Sequence, residues 1–177
     1  MPETDRSAPT HIGAADHSDP ADMAAVAELL EAYLRQTETE KRSSGLGASS
    51  PAGLPARYLS EVRDPAGAFA NAWILLARQA GVPAGLVVIA PVDPAVVEIK
   101  RLWTDPGARG HGIGGALLRA ALGLATDHGY RQAQLTVWHW REPVLQMYRR
   151  AGFEVAASWE ERPGLVCLRR DLTDRRR

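Results

Sequence analysis

The sequence predicts a single α/β domain, and three observations carry that prediction. An apolar run at residues 96–103 leads into a glycine-rich turn, Arg109-Gly110-His111-Gly112-Ile113-Gly114-Gly115, which opens a helical pattern over residues 116–128. Strand-like apolar runs alternate with amphipathic helical patterns along the rest of the chain. With 177 residues, 45% hydrophobic and 24% charged, the chain can bury one sizeable core and is too short for two ordinary domains. Residues 1–8 read as a flexible polar segment, 9–172 as the domain, and 173–177, with Arg169 and Arg170 before them, as a solvated basic tail.

Residues 10–15 form a short strand candidate. Asp19-Pro20 then supplies an N-cap and a proline at the first helical position for a helix over 21–35, where Met23, Val26, Ala27, Leu30 and Leu34 recur at helical spacing. Residues 43–53 hold four Ser, three Gly and a Pro, the composition of a mobile loop. A second helix over 55–62 stops before Asp64-Pro65, and strands at 69–78 and 85–92 are joined by the turn residues Gly81-Val82-Pro83. The strand at 96–103 passes through Thr104-Asp105-Pro106-Gly107 into the glycine turn. The helix beyond should bury Ile113, Leu117, Leu118, Ala121, Leu124 and Ala125 and end on Gly129. A strand at 132–140, a helix from 142 and two closing strands complete the chain.

Composition excludes several classes of function. Lys+Arg and Asp+Glu both total 21, so no overall field favours nucleic acid or an anionic membrane. The lone Cys167 permits no internal disulfide and offers no metal cluster, which suits a reducing cytoplasm, and its apolar surroundings make it a small buried residue. Residues 1–8 lack the apolar core of a signal peptide, and no run approaches the roughly 18 apolar residues of a membrane span. Only Lys41 and Lys100 are lysines, and Ala, Gly, Pro and Arg abound, as in proteins of GC-rich bacteria.

The glycine turn is the part that carries chemistry. A helix start combines unsatisfied N–H donors with the positive end of the peptide dipoles, and so holds a phosphate or pyrophosphate. Three ligand classes compete for it. A P-loop needs Lys-Ser/Thr after its second glycine, and here Ile113-Gly114 follows Gly112. The dinucleotide fingerprint G-x-G-x-x-G is spelled by Gly110 to Gly115, but the acidic residue it needs about 20 residues later is missing from 132–140. Arg109-x-x-Gly112-x-Gly114 fits the third throughout: it resembles the R/Q-x-x-G-x-G/A signature of the GNAT family of N-acetyltransferases, whose loop holds the pyrophosphate of acetyl-coenzyme A. The flanking blocks are similar too. Glu98-Ile99-Lys100-Arg101-Leu102-Trp103 looks like the family's fourth strand, and Glu142-Pro143-Val144-Leu145-Gln146-Met147-Tyr148-Arg149-Arg150-Ala151-Gly152-Phe153 like its closing helix.

That resemblance implies a mixed, largely antiparallel sheet of six or seven strands flanked by about four helices, and direct transfer of an acetyl group from a thioester to an amine. It places the coenzyme on the main chain of Gly110, His111, Gly112, Ile113, Gly114 and Gly115, with Arg109 adding a charge-assisted contact. A bulge in the fourth strand would free main-chain groups of Leu102 and Trp103, with Thr104 next, for the pantetheine arm and the thioester carbonyl. Tyr148 stands where the family has the tyrosine that protonates the leaving thiolate; it also shares a helix face with Val144, Leu145 and Ala151, as a packing residue would. Glu98 lies 11 residues before Arg109, where some members carry a catalytic glutamate, and it can equally pair with Lys100 as a solvated strand residue.

His139 is a second base candidate, and Trp138 and Trp140 share the opposite strand face, which makes the three substrate-binding candidates. One departure stands out. Arg141 occupies the position where the family commonly has an Asn that holds the pantetheine arm, so Arg141 either alters that contact or reaches a coenzyme phosphate, and donors other than acetyl-coenzyme A stay open. The expected acceptor is a small-molecule amine, one with a flat or apolar portion, admitted beside residues 43–53. Alternatives are a protein or peptide acceptor and a catalytically silent acyl-coenzyme A sensor. No metal, nucleic acid or membrane partner is expected, and the protein should be a monomer or homodimer.

Overall fold

The computed structural model describes residues 9–46 and 53–173. The segment 1–8, most of the loop 43–53 and residues 174–177 of the tail lie outside the described residues.

Among the described residues seven strands form one sheet: β1 (Thr10–Ala14), β2 (Trp73–Gln79), β3 (Val82–Pro91), β4 (Val96–Thr104), β5 (Gln132–Trp138), β6 (Glu154–Val155) and β7 (Leu165–Asp171). They lie in the order β1-β2-β3-β4-β5-β7-β6, and every pairing is antiparallel except β4 with β5. Among the described residues five α-helices flank the sheet: α1 (Pro20–Ser43), α2 (Ala56–Arg63), the single turn α3 (Pro65–Ala68), α4 (Ile113–Asp127) and α5 (Glu142–Arg150).

The central strands are apolar on both sides because both faces are covered. On β2 and β3, Ile74, Leu76, Leu86 and Val88 pack with Val26, Leu29 and Leu30 of α1. Leu75, Ala77, Val87 and Ile89 point the other way, onto Ile113, Leu117, Leu118 and Ala121 of α4. Fully burying such side chains contributes roughly 1.5–3 kcal/mol each before entropy is subtracted.

Several boundaries depart from expectation. Asp19 does cap α1, accepting from Ala21 N at 2.9 Å, but the helix runs two turns beyond residue 35. Its extension buries Thr37, Glu38 and Lys41 rather than apolar residues. Residues 65–68 are helical, so β2 starts later than expected, and it meets β3 through Ala80 and Gly81, both at positive φ, so that Val82 and Pro83 belong to β3. Leu122 replaces Leu124 among the fully buried residues of α4. Arg169 and Arg170 belong to β7 rather than to a tail: Arg170 is tied to Ala151 O at 2.6 Å, and Arg169 stacks 4.8 Å over Trp159. Cys167 is buried in β7.

Candidate active site

The parallel pairing of β4 with β5 is brief. It covers Val96 with Gln132, Val97 with Ala133 and Glu98 with Gln134, and then stops. Beyond Glu98 the strands diverge, so the β5-facing main-chain groups of β4 lack a strand partner. The gap widens into a cavity of about 910 Å³.

A bulge lies within the same stretch. Lys100 pairs with Val88 but Trp103 with Leu86, so Arg101 and Leu102 together face Val87. Arg101 has φ of 54°, in the left-handed region that side chains rarely occupy. The extra residue reverses the phase of the strand. Val97 and Ile99 face the α4 side, whereas Trp103 packs on the α1 side and Arg101 reaches Glu61 of α2. Without the bulge, Arg101 would point into the apolar core beneath α4. With it, Nε and Nη2 grip the Glu61 carboxylate at 2.8 and 2.6 Å, a bidentate pair in which both side chains are largely buried.

The glycine turn closes one end of the cavity. Gly112 has φ of 75° and serves as the N-cap of α4 without a capping side chain. The first described bond back to it comes from Ala116 N, at 3.0 Å, which leaves the N–H groups of Ile113, Gly114 and Gly115 without helical partners. A Cβ on Gly114 would come no nearer to the protein than 3.4 Å, from Thr104 Oγ1, so packing does not demand glycine there. The space beside the Gly114 main chain is open to the cavity. Arg109 braces the turn, donating to Thr104 O at 3.1 Å and Gln36 Oε1 at 3.0 Å and stacking 4.6 Å over Trp103. The Trp103 indole N–H is the one buried side-chain donor without a partner among the described residues, and its ring lines the cavity.

Of the residues singled out from the sequence, Glu98, Leu102, Trp103, Thr104, Arg109, Gly110, Gly112, Ile113, Gly114, Gly115, Trp138, Trp140, Arg141 and Tyr148 all line this one cavity. His111 and His139 do not. The His111 ring lies against Ala108 O and that of His139 against Gly164 O, at 3.3 and 3.1 Å. β5 ends at Trp138, so His139 and Trp140 sit in the following turn, with Trp140 stacked on Trp138 at 4.8 Å and 13°.

Arg141 is engaged with the protein. Nε donates to Glu40 Oε2 at 2.7 Å and Nη2 to Thr37 Oγ1 at 2.7 Å, while Trp140 Nε1 shares the same Glu40 oxygen at 3.1 Å. These bonds strap the late turns of α1 across the gap. Burial works against ionisation of Glu40, but hydrogen bonds from Gln36, Trp140 and Arg141 outweigh it and hold the carboxyl below its usual range.

Tyr148 is buried, edge-on to Phe153 at 5.7 Å, and no described side chain or main-chain group bonds its hydroxyl. Burial, and then the neighbouring Tyr33, push its phenol well above the usual value against the pull of Arg141. Tyr33 behaves oppositely: its burial is overcome by the charges of Arg141 and Arg101, and its phenol is lowered. Glu98 sits at the last position of β4 that pairs with β5, 3.6 Å from Lys100 Nζ. Both sequence readings of Glu98 thus have a geometric counterpart.

Sequence reasoning missed Tyr33, Glu40, Arg57, Tyr58, Glu61 and Arg101, which also line the cavity. Only Arg101 left a local signal: it follows Val97 and Ile99 in the core-facing phase, where a charge demands a change of phase.

The family model described as Acetyltransferase (GNAT) family matches residues 26–153, which includes the glycine turn, β4 and α5. The chain belongs to the GNAT family. A GNAT family acetyltransferase from Elizabethkingia anophelis, solved with acetyl-CoA bound, shares the fold with a TM-score of 0.54 at 21% identity, covering 69% of this chain and 94% of that one. A mycothiol acetyltransferase of Clavibacter sepedonicus is 39% identical over 94 residues, 50% of this chain and 31% of that protein. A blasticidin-S acetyltransferase of Streptomyces morookaense is 34% identical over 68 residues, 38% of this chain and 48% of that protein. The chain thus spans about a third of the length of the first of these two relatives.

Proposed function

We propose that this chain is an N-acetyltransferase that moves the acetyl group of acetyl-coenzyme A onto the primary amine of a small molecule. The observation that carries the reading is the uncapped start of α4 at the mouth of the β4–β5 gap. It offers pyrophosphate three free N–H groups and a dipole end, and Gly114 leaves room for the ligand. The unpaired edge of β4 at Leu102, Trp103 and Thr104 then takes the pantetheine arm by main-chain pairing, as an added strand would be taken.

The reaction balances on two side chains. The acceptor nitrogen attacks the acetyl carbon, the carbon–sulfur bond breaks, and the sulfur takes a proton from Tyr148, whose phenolate is restored by the proton that the nitrogen sheds as the amide forms. Glu98 takes the proton that the acceptor ammonium must lose. A main-chain N–H of the bulged stretch steadies the carbonyl oxygen as charge develops, worth about 3 kcal/mol. Arg109 supports the phosphate end, Arg141 holds α1 over the cavity, and Trp138 and Trp140 give the acceptor a flat wall.

A small acceptor fits a 910 Å³ cavity roofed by α1, and the names of the mycothiol and blasticidin-S acetyltransferases point the same way. The test is free-thiol release from acetyl-coenzyme A with a panel of small amines beside intact proteins and peptides. Turnover of small amines is expected. Acetylation of intact proteins alone would favour a macromolecular acceptor, and coenzyme binding without any turnover a sensor.

A further inference from the structure

The charges lining the cavity do not balance. Six cationic side chains face it (Arg57, Lys100, Arg101, Arg109, Arg141 and Arg162) against three carboxylates, those of Glu40, Glu61 and Glu98. Each carboxylate is already committed: Glu40 to Arg141 at 2.7 Å, Glu61 to Arg101 at 2.6 Å and Glu98 to Lys100 at 3.6 Å. Arg162 is held by Glu160, which does not line the cavity. Two guanidiniums remain without a carboxylate among the described residues. Arg109 stands beside the glycine turn, where a pyrophosphate would meet it. Arg57 comes from another element, the first turn of α2.

Arg57 is exposed and lies 4.6 Å over the buried Tyr58 ring, bonded to its hydroxyl at 3.1 Å. Arg101 and Lys41 approach the same ring, each at 5.4 Å. The cavity lining around Tyr58 is therefore an aromatic surface in a positive field, with the Arg57 guanidinium free of any described carboxylate. A polycationic amine would find every carboxylate taken and would be repelled. A carboxylate would find a planar fork of donors that no described carboxylate occupies, one of them spent on the Tyr58 hydroxyl. The same field favours loss of the ammonium proton, which the attack requires.

Resting on the N-acetyltransferase reading above, we propose that the acceptor is an amine bearing a carboxylate, that Arg57 binds this carboxylate, and that polycationic amines are excluded. The experiment compares amines that differ only in that group, tyrosine with tyramine and tryptophan with tryptamine, and adds spermidine as the polycation. Thiol release and product mass are read for each. The wild type should favour the carboxylate member of each pair by at least tenfold in kcat/KM, less so in high salt, with no turnover of spermidine. Arg57→Gln should bring the members of each pair within about threefold, and Arg57→Glu should reverse the order. Circular dichroism and the KM for acetyl-coenzyme A confirm that the variants fold. A wild type that prefers tyramine, tryptamine or spermidine overturns the inference while leaving the N-acetyltransferase reading intact. So does an Arg57→Gln variant with an undiminished preference. Failure to acetylate any small amine removes both.

Discussion

Arg141 Nε and Glu40 Oε2 meet at 2.7 Å across the opening between β4 and β5, 101 residues apart in sequence. Their contact sets the height of the cavity roof, because it joins the turn after β5 to the penultimate turn of α1. Replacing Arg141 by Asn, the residue common at this place in the family, removes two charge-assisted hydrogen bonds and strands a half-buried carboxylate. The expected loss is about 1–3 kcal/mol, or a melting temperature lower by several degrees. A double-mutant cycle with Glu40→Gln should give a coupling near 1 kcal/mol, and additive effects would detach the roof from this pair.

The same contact predicts a pH dependence. Glu40 titrates below its usual range in the folded protein, so its stabilising contribution is complete above the ordinary carboxylate pKa and fades as the pH drops through the depressed one. The stability gap between wild type and Glu40→Gln should be constant from pH 6 to 8 and shrink below about pH 4. Chemical denaturation at each pH measures it; a gap that widened in acid would contradict the sign.

At the glycine turn, Gly114→Ala adds a methyl group that the protein itself tolerates at 3.4 Å. Folding stability and the Kd for acetyl-coenzyme A, measured by calorimetry, should both hardly change, because the last position of the R/Q-x-x-G-x-G/A signature accepts alanine. Gly114→Asp adds a negative charge and should abolish binding. Wild-type affinity in Gly114→Asp would move the pyrophosphate elsewhere.

Tyr148→Phe keeps the edge-on packing against Phe153 and removes only the hydroxyl. We expect kcat to fall about 10²-fold with little change in melting temperature. Because burial keeps the phenol protonated, the wild-type kcat should show no loss assignable to Tyr148 up to about pH 10. A fully active Phe variant, with chemistry shown to limit the rate, would reduce Tyr148 to a packing residue.

Glu98→Gln should lower kcat/KM at pH 7 and regain most of it near pH 10, where the acceptor amine is already neutral. A uniform loss at every pH would instead mark Glu98 as a partner of Lys100 that shapes the strand.

What could be read in the sequence was what short stretches dictate alone. The glycine turn declares itself through residues that must tolerate positive φ, α4 through its 3.6-residue period, and α1's start through Asp19-Pro20. The end of α1 does not, because past Leu34 the buried face is made of Thr37, Glu38 and Lys41. Its stability comes from the Glu38–Lys41 pair at 2.5 Å, with the ammonium between the rings of Tyr58 and Trp138. Likewise Glu61 and Arg101 are 40 residues apart, and nothing in either neighbourhood names the other. Residues that a ligand's main-chain contacts require were visible; those that meet only after folding were not.

The bulge at Arg101 divides labour along a single strand. Under the proposed function, the strand's unpaired edge past it is open to the donor as bare peptide, indifferent to which side chains it carries, while Lys100 and Arg101, which line the same cavity, meet the acceptor as individual side chains. Substitutions at Lys100 and Arg101 would then redirect which amine is chosen while the main-chain hold on the donor stays as it is. A lineage built on this scaffold can change its acceptor in single steps and keep its donor throughout.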